Sequence, residues 1–572
     1  MKKLWLKQYP AGVPHDVGRP SYSSLTELFE DSCRRFHDLP ALSNLGAVMT
    51  YAEFERKSRS FGACLQRQYG MRPGDRVALM LPNVLQYPVA LFGALRAGLI
   101  PVACNPLYTA RELEQQVRDS GANCIVVLEN AAHTVQEILG RAPIRTVIVS
   151  RIGDLLPPIK RQLANFVVKY VKQLVAPWHI DGAVEFRSVL ARGEQLPLEP
   201  VSRSWGDVAL LQYTGGTTGI PKGAMLTHGN VIANLEQISA WFGGDLEEGA
   251  ETVVTALPLY HVFALTTNLL TFLKWGGHNV LITDPRDIHR LVKDIRALRF
   301  TAISGVNTLF KAMLRDPGMR DVDFTALKFA VAGGMAVQRE VANEWMRVVG
   351  KPLIEGYGLT EASPSVAVNR PDTKEYCGTV GIPLPSTEVM VRDDDGKELA
   401  TGEIGELCVR GPQVMKGYWN RPDETAKVLD ATGWLRTGDM GFMDERGYIK
   451  ITDRKKDVIV VSGFKVFPNE VEEVVAAHPG VREVAAVGEA DEHSGEVVKI
   501  VVVKEDPSLS ADALIAYCAR QLTPYKVPKL VRFREKPLPK SSLGKPLRRL
   551  IRDEEVKAKL VDRDSPPGGT GI

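Results

Sequence analysis

The chain has few cysteines, little net charge and no long unbroken apolar run, and each shortage excludes a class of protein. Its seven cysteines are at least 20 residues apart, which leaves no disulfide framework or metal-ligand spacing and favours a reducing compartment. The 71 basic residues are balanced by 68 acidic ones, so we expect no nucleic-acid partner. The first twelve residues carry only a Leu-Trp-Leu triplet between lysines, so we expect no export signal.

Two uncharged stretches approach the length of a membrane span. Residues 77–95 contain Pro82 and Pro88, and residues 253–273 contain Pro258 and several polar groups. A membrane-spanning helix needs about 20 predominantly apolar residues, which these interruptions prevent. We therefore predict a buried strand running into a buried helix in each.

Short apolar runs alternate with amphipathic helical patterns through most of the chain. Residues 75–82, 99–104 and 122–130 read as buried strands, with helical patterns between them. This rhythm predicts parallel sheets covered by helices, and hence an α/β protein.

The predicted pattern of strands and helices changes twice toward the C-terminus. From about residue 375, short alternating strands separated by Gly and Asp turns predict a small β-subdomain, and beyond the charged DRKKD segment the pattern is that of a compact α+β unit. The composition of the last residues is typical of a disordered tail. The predicted division is an N-terminal domain at 1–453 with the β-subdomain at about 375–453, a hinge at 454–457, a mobile C-terminal domain at 458–555 and a tail at 556–572.

The run YTGGTTGIPKG, residues 213–223, cannot form a helix face or fill a sheet. Its glycines expose backbone N–H groups, its threonines add hydroxyls, and Lys222 adds a positive charge, which together predict a phosphate-binding loop. The order Pro-Lys-Gly does not fit the Walker A pattern. A strand should precede the loop, and a helix after it should add a favourable dipole. The alternative is a plain surface loop.

Four further motifs carry polar residues in glycine-rich settings. In EGYGLTEASP (355–364) the ring of Tyr357 is free to stack on a planar group, and Glu361 can ligate Mg²⁺ held by phosphate oxygens. In GWLRTGDMG (433–441), Asp439 is predicted to lie in a tight turn and to accept hydrogen bonds from ribose hydroxyls. The other two motifs are DRKKDVIVVSGFKVFPNEVE (453–472) and LPKSSLGKPLRR (538–549).

In this order, the five motifs resemble those of the adenylate-forming superfamily, which includes acyl-CoA synthetases, peptide-synthetase adenylation domains and luciferases. The resemblance covers residues from about 25 to 550, and the segments PLYHVFAL and QLTPYKVPKLVRF look most like those of bacterial long-chain fatty acid–CoA ligases. It implies a two-step reaction. A fatty carboxylate attacks the α-phosphate of ATP, giving acyl-adenylate and pyrophosphate, and the thiol of coenzyme A then displaces AMP. ATP, a fatty acid and coenzyme A are the implied partners, with Mg²⁺ accompanying ATP.

The resemblance also implies roles for individual residues. Lys545 would bridge the carboxylate and the α-phosphate, His261 would line the carboxylate end of the acyl pocket, and Thr217 and Glu361 would position Mg²⁺. The C-terminal domain would rotate about the hinge to bring the coenzyme A loop (Ser462, Gly463 and Lys465) to the site. The implied ATP-binding residues are Tyr213, Thr214, Gly215, Gly216, Thr217, Thr218, Gly219, Lys222, Gly333, Gly334, Met335, Glu355, Gly356, Tyr357, Gly358, Thr360, Asp439 and Arg454.

Several alternatives stay open at this level. Taken alone, His261 reads equally well as a core histidine and Lys545 as one more solvated base. Leu265 stands where some members of the superfamily have a gating tryptophan. The same fold could act on a medium-chain or aryl acid, or bind acyl groups and nucleotides without catalysis, although Lys545 and Glu361 are both present.

One segment raises the question of membrane contact. In the helical pattern at 159–175, apolar residues share one face and basic residues lie opposite. We expect this face to dock on the protein's own sheet, as most amphipathic helices do. The alternative is a bilayer interface, with a cytoplasmic protein bound peripherally to the inner face of the membrane.

Overall fold

The computed structural model describes residues 3–214, 221–491, 493–541 and 544–555. The chain forms two compact units. The first comprises residues 1–389, 409–435 and 446–448, and the second comprises residues 390–408, 436–445 and 449–572. The predicted hinge at 454–457 lies within the second unit.

Many of the helices begin at hydroxyl side chains that cap free backbone N–H groups. Thr50 and Thr109 form capping boxes with glutamates three residues on. The helices are α1 Leu25–Arg35, α2 Tyr51–Arg67, α3 Gln86–Arg96, α4 Ala110–Ser120, α5 Ala132–Ile138, α6 Pro158–Phe166, α7 Phe186–Glu194, α8 His228–Phe242, α9 Val262–Ala264, α10 Thr271–Lys274, α11 Ile288–Arg296, α12 Asn307–Arg315, α13 Arg339–Val349, α14 Pro422–Val428, α15 Pro468–Ala476 and α16 Ala511–Ala519. Short 3₁₀ turns cover Leu4–Gln8, Glu129–Ala131, Pro317–Asp321, Thr360–Ala362, Lys455–Asp457 and Pro524–Lys526, and π-helical turns cover Val167–Val171 and Leu265–Leu270.

The strands are mostly short and rich in valine, isoleucine and alanine, as buried strands are. They are β1 Pro40–Asn44, β2 Ala47–Thr50, β3 Arg76–Met80, β4 Ile100–Ala103, β5 Cys124–Leu128, β6 Thr146–Ser150, β7 Val184–Glu185, β8 Val208–Thr214, β9 Lys222–Thr227, β10 Thr252–Thr255, β11 His278–Leu281, β12 Ala302–Gly305, β13 Phe329–Ala332, β14 Leu353–Gly358, β15 Ser365–Val368, β16 Ile382–Pro383, β17 Glu388–Arg392, β18 Gly405–Arg410, β19 Leu435–Met443, β20 Ile449–Arg454, β21 Ile459–Val461, β22 Phe464–Val466, β23 Val481–Asp491, β24 Gly495–Lys504 and β25 Leu530–Arg534.

The first unit contains two large sheets. One has seven strands in the order β7-β6-β5-β3-β4-β8-β9, all parallel except the β8–β9 pair. The other has nine strands in the order β16-β15-β14-β13-β12-β10-β11-β1-β2, parallel from β14 to β1. The predicted parallel sheets are therefore confirmed, and the carboxyl ends of β10, β12, β13 and β14 meet at one sheet edge.

The second unit contains most of a four-stranded sheet, β17-β18-β19-β20, and a five-stranded sheet in which β24 lies between β23 and the strands β21 and β25. Helices α15 and α16 complete this α+β unit, with a core that includes Val471, Ile500 and Leu514.

The two uncharged stretches form a strand followed by a helix, as predicted. Residues 77–95 supply most of β3 and α3, and every residue of α3 is buried. Residues 253–273 supply most of β10 and the helical turns from Val262 to Lys274. Within the described part of the chain, no helix is long and apolar enough to cross a membrane.

The amphipathic helix is the main departure from expectation. Residues 158–171 form α6 and a π-helical turn, and none of these residues is buried. The prediction that its apolar face docks on the protein's own sheet is wrong, because these side chains point outward. The most exposed of them are Ile159 (84%), Leu163 (62%), Phe166 (55%), Tyr170 (62%), Val171 (64%) and Leu174 (55%).

Candidate active site

The predicted phosphate loop connects two antiparallel strands. Thr214 at the end of β8 pairs with Lys222 at the start of β9. A strand therefore follows the loop directly, and the predicted helix comes after that strand. The expected contribution of its dipole is wrong because of the distance. Helix α8 begins only at His228, about 20 Å along the six-residue strand β9, so its dipole does not reach the loop. The predicted loop residues Gly215, Gly216, Thr217, Thr218 and Gly219 lie outside the described residues.

The base of the loop is held by a polar cluster. The hydroxyl of Tyr213 donates to Asp119 Oδ2 at 2.7 Å, and Arg421 donates to Asp119 Oδ1 at 2.7 Å. Burial, together with the neighbouring Asp119, raises the pKa of Tyr213, so the phenol keeps its proton. Sequence patterns alone could not identify Asp119 and Arg421, because they are far from the loop along the chain.

The glycines assigned to adenine binding lie where β13 and β14 end. Gly333 and Gly334 follow β13, while Gly356, Tyr357 and Gly358 close β14, and all five line one cavity. A side chain at position 358 would collide with the carbonyl of Pro364. The carboxyl ends of parallel strands are a common ligand-binding edge in open α/β sheets.

Glu355, in β14, contacts the loop that follows β13. It is buried, and the backbone N–H of Val337 donates to its Oε1 at 3.4 Å. Burial raises the pKa of Glu355 to about 7. Met335 lies between Gly334 and Val337 and is partly buried, and Thr360 is at the cavity wall. Glu355 therefore contacts the backbone of the loop that carries the glycines.

His261 lies in the wall of the same cavity and caps α9. The backbone N–H of Phe263 donates to His261 Nδ1 at 3.2 Å. Burial lowers the pKa of His261 to about 4, so at neutral pH it is an uncharged hydrogen-bonding group. The structure thus brings His261 to the cavity together with Tyr357, while Leu265 is buried at the start of a π-helical turn.

The cavity has a volume of about 940 Å³, including its open mouth, and its inner lining is largely apolar. Phe242 packs edge-on against Phe329 at 4.8 Å between ring centroids. The apolar lining comprises Ile238, Phe242, Leu246, Val253, Phe272, Ala302, Ile303, Phe329 and Val331.

Glu361 lies in the 3₁₀ turn after β14, beside the base of the predicted phosphate loop. The hydroxyl of Tyr418 donates to Glu361 Oε1 at 2.8 Å, and the backbone N–H of Met415 donates to Glu361 O at 2.8 Å. Lys222 forms an ion pair with Glu424, and its ammonium lies 5.2 Å from the centroid of the Tyr418 ring.

The single carboxylate of Glu361 fits a metal ion that would take its other ligands from the phosphates of a nucleotide. In the described residues, no cluster of three or more His, Cys, Asp or Glu side chains could hold a metal by itself. Mg²⁺ is usually bound by one or two carboxylates together with substrate phosphates, so a single carboxylate beside a phosphate loop fits it.

The predicted ribose pair and Lys545 lie together in the second unit. Arg454 Nε contacts Asp439 Oδ1 at 2.6 Å, since the two residues are register partners on β19 and β20. Asp439 is therefore in a strand with a local irregularity, and the prediction of a tight turn is wrong. Burial, reinforced by the charges of Arg454 and Arg548, lowers the pKa of Lys545, against the opposing charge of Asp439.

Arg548, which lies in the same basic run as Lys545, has a side chain that is only 5% exposed. It donates to Asp453 at 2.7 Å and to Glu472 at 2.7 and 2.8 Å. This buried network joins β20, α15 and the C-terminal helical segment within the second unit.

The predicted coenzyme A loop joins β21 and β22. Ser462 and Gly463 have positive φ angles of 49° and 85°, and Lys465 reaches Asp394 at 3.3 Å. Phe464 is exposed and stacks on Tyr525 at 4.8 Å. The loop therefore presents backbone, an aromatic ring and a base at the surface of the second unit.

Most of the chain matches two family models. Residues 29–419 match the model described as AMP-binding enzyme, and residues 470–545 match the AMP-binding enzyme C-terminal domain. The chain belongs to the AMP-binding enzyme family. The resemblance inferred from the motifs is thereby confirmed.

Several bacterial proteins align over nearly the whole chain. The chain is 55% identical over 554 residues to the long-chain-fatty-acid--CoA ligase of Escherichia coli O157:H7, covering 97% of this chain and 98% of that protein. Identity to the ligase of the same name from Bacillus subtilis strain 168 is 38% over 566 residues, covering 97% and 99%. It is 35% over 514 residues to a feruloyl-CoA synthase of Amycolatopsis sp., covering 90% and 95%.

Two solved structures share the fold of this chain. ATP-bound MatB from Rhodopseudomonas palustris superposes with a TM-score of 0.79 at 27% identity, covering 92% of this chain and 98% of that one. The anthranilate CoA ligase AuaEII in complex with anthranoyl-AMP gives a TM-score of 0.82 at 24% identity, covering 95% and 99%, a likeness of fold alone. The predicted fold class is confirmed.

Proposed function

We propose that this protein is an AMP-forming long-chain fatty acid–CoA ligase. It activates a long-chain fatty acid with ATP to acyl-adenylate and pyrophosphate, and then transfers the acyl group to coenzyme A with release of AMP. The first step is chemically necessary because a carboxylate is a poor electrophile with a poor leaving group, and adenylation supplies a good one.

The observation that carries this proposal is the composition of the cavity in the first unit. Its wall holds Gly333, Gly334 and Tyr357, the residues assigned to adenine, and also His261, assigned to the carboxylate end. The same cavity has a largely apolar lining that includes aromatic residues such as Phe242. Nucleotide and hydrocarbon recognition are thus adjacent, as acyl-adenylate formation requires. Each buried CH₂ contributes about 0.8 kcal/mol, so such a lining favours long chains.

The remaining proposed roles rest on the charges of Glu361, Lys222 and Lys545. Glu361 would hold Mg²⁺ together with Thr217 and phosphate oxygens, and the 213–223 loop with Lys222 would hold the β- and γ-phosphates. Mg²⁺ neutralises phosphate charge when bound. His261, being uncharged, orients the carboxylate by hydrogen bonding and leaves the positive charge to Lys545.

The second unit supplies Lys545 for adenylation and the 462–465 loop for coenzyme A. Asp439 and Arg454 bind the ribose hydroxyls, with their mutual contact fixing both side chains. Rotation of the C-terminal domain, residues 458–555, about residues 454–457 exchanges its two faces between the half-reactions. A short hinge joining rigid bodies is a common closure device.

A pyrophosphate-release assay over carboxylic acids of increasing length, with an aromatic acid included, tests the substrate class. We expect the specificity constant to rise steeply from acetate to palmitate and the aromatic acid to be poor. A flat response along the series, or a preference for the aromatic acid, would contradict the proposal. Replacing Glu361 by Ala should abolish adenylation in Mg²⁺ with the fold intact, whereas Glu344→Ala, at an exposed site on α13, should not.

We also propose that the exposed apolar face on residues 158–174 binds an anionic lipid bilayer. The helix is tied to the body by polar contacts, with Gly153 N–H donating to Asn165 Oδ1 at 2.9 Å and Lys160 to the carbonyl of Gly46 at 2.8 Å. Its apolar side chains therefore stay outward. Arg161 and Lys172 on the same segment provide charge complementarity to acidic headgroups, while Lys169 pairs with Glu129 at 3.4 Å.

Cosedimentation with vesicles separates this surface from the rest of the protein. Burial of a large apolar side chain is worth about 2 kcal/mol, so replacing Phe166 and Val171 together by Ser should abolish most of the binding to phosphatidylglycerol vesicles. The matched control replaces Met346 and Val348, exposed on α13, by Ser and should bind normally. Equal binding by both variants, or equal binding of the wild type to uncharged vesicles, would contradict the proposal.

A further inference from the structure

Residues 416–419 run beside β9 as an added extended segment. Met225 N–H donates to the carbonyl of Gly417 at 2.9 Å, and Trp419 N–H donates to that of Gly223 at 2.8 Å. Tyr418 and Ala224 form a bridge in antiparallel register. The segment is therefore fixed to the strand that leads out of the phosphate loop.

A second set of contacts anchors the chain just after this segment. Arg421 reaches Asp119, which also receives the hydroxyl of Tyr213 at the base of the loop. Thr425 Oγ1 accepts a hydrogen bond from Tyr418 N–H at 2.9 Å. The backbone around Tyr418 is held from both sides, so its side chain has a defined direction.

The side chain of Tyr418 contacts two groups of opposite charge. Its hydroxyl donates to Glu361 Oε1 at 2.8 Å, and its ring lies 5.2 Å from the ammonium of Lys222. The residue is 8% exposed and the Lys222 side chain 17%, so both contacts are partly shielded from water. Hydrogen bonds to charged groups and cation–π contacts are stronger when they are desolvated.

We propose that Tyr418 is a positioning residue for the adenylation step. Its hydroxyl fixes the orientation of the Glu361 carboxylate for Mg²⁺, and its ring supports Lys222 for the phosphates. This inference rests on the proposed function, because it uses the roles of Glu361 and Lys222 given there. It predicts that one side chain couples metal recognition to phosphate recognition.

Two substitutions separate the two contacts. Tyr418→Phe keeps the ring and loses the hydrogen bond, while Tyr418→Leu loses both. ATP affinity is measured by titration calorimetry without fatty acid, once in Mg²⁺ and once in EDTA. We expect Tyr418→Phe to weaken ATP binding about tenfold in Mg²⁺ and to leave it unchanged in EDTA, since a hydrogen bond to a charged group is worth about that factor or more. Tyr418→Leu should weaken binding in both.

The half-reactions give a second readout. Pyrophosphate release should fall in Tyr418→Phe and recover partly at high Mg²⁺, whereas thioester formation from synthetic acyl-adenylate and coenzyme A should stay normal. Tyr51→Phe is the matched control, because the buried Tyr51 hydroxyl donates to the carbonyl of Gly277 at 2.7 Å. It should lower the melting temperature and leave the Mg²⁺ dependence unchanged.

Glu361→Gln separates failure of this inference from failure of the proposed function. If Glu361→Gln loses the Mg²⁺-dependent part of ATP binding and Tyr418→Phe adds nothing in that background, Tyr418 acts through Glu361. If Glu361→Gln changes the Mg²⁺ dependence but Tyr418→Phe does not, or if Tyr418→Phe weakens binding equally in EDTA, the positioning role is refuted. If Glu361→Gln itself leaves the Mg²⁺ dependence unchanged, the metal assignment fails and the role proposed for Tyr418 fails with it.

Discussion

Replacement of Lys545 by Ala tests the division of labour between the two half-reactions. The backbone around Lys545 is held independently of its side chain, because Ser541 N–H donates to Lys545 O at 2.8 Å and Lys545 N–H donates to Ser541 Oγ at 3.2 Å. Burial and the charges of Arg454 and Arg548 lower the pKa of Lys545, so its ammonium is unfavourable in the folded protein until an anion joins it. The variant should therefore fold with unchanged or slightly higher stability.

The expected kinetic effect is large and confined to one step. Loss of a preorganised group that meets developing charge costs on the order of 10²–10³ in rate, or roughly 3–4 kcal/mol. Adenylation should fall by this factor, since Lys545 would no longer neutralise the α-phosphate region. Because the pKa of Lys545 is lowered, its ammonium loses its proton at a pH below the ordinary lysine pKa of 10.5. Adenylation by the wild type should therefore begin to decline below that pH. In Lys545→Arg this decline should move to higher pH, since arginine keeps its charge.

The assay compares pyrophosphate release from ATP with thioester formation from synthetic acyl-adenylate. Normal thioester formation beside a collapsed adenylation rate is the expected result for Lys545→Ala. Lys540→Ala is the matched control, because Lys540 forms only a partly exposed ion pair with Glu483 at 2.7 Å, worth about 1 kcal/mol or less. Equal losses in both steps for Lys545→Ala would refute the reasoning, since they would make Lys545 structural or would mean that the C-terminal domain at 458–555 does not alternate.

Three other perturbations have definite expected outcomes. Arg548→Leu should lower the free energy of unfolding by about 3–5 kcal/mol, because it leaves Asp453 buried without its partner. Amide hydrogen exchange in the second unit should become faster, and unchanged protection would count against the buried network. Burial lowers the pKa values of His228 and His261 to about 4 from 6.5, so the unfolded chain binds more protons in this window and the free energy of unfolding should fall as pH drops from 6.5 to 4. His228→Asn should flatten that profile in urea titrations, and an equally steep profile would contradict the assignment. Phe242→Ala should enlarge the apolar part of the cavity and shift the optimum of kcat/KM toward longer acyl chains, and an unchanged optimum would remove Phe242 from the acyl site.

The family, the main motifs and the strand–helix alternation were predictable because each is carried by local sequence. Parallel strands buried on both faces need apolar runs such as residues 75–82, and a phosphate loop needs glycines at consecutive positions. These constraints act within a few residues, so they can be read without knowing what lies across the fold. The same holds for Gly356 and Gly358 of the cavity, since both lie in the motif around Tyr357.

Long-range packing decided the features that the local sequence could not predict. Tyr418 meets Glu361 only because residues 416–419 pair with β9, and no local pattern links positions 57 residues apart. Within one basic run, Lys540 lies at the surface and Arg548 is buried, because only Arg548 meets the carboxylates of β20 and α15. The apolar face of 158–174 has the pattern of a core-facing helix, yet it points outward. Amphipathic periodicity specifies that one face is apolar, but only the tertiary structure determines whether that face is covered.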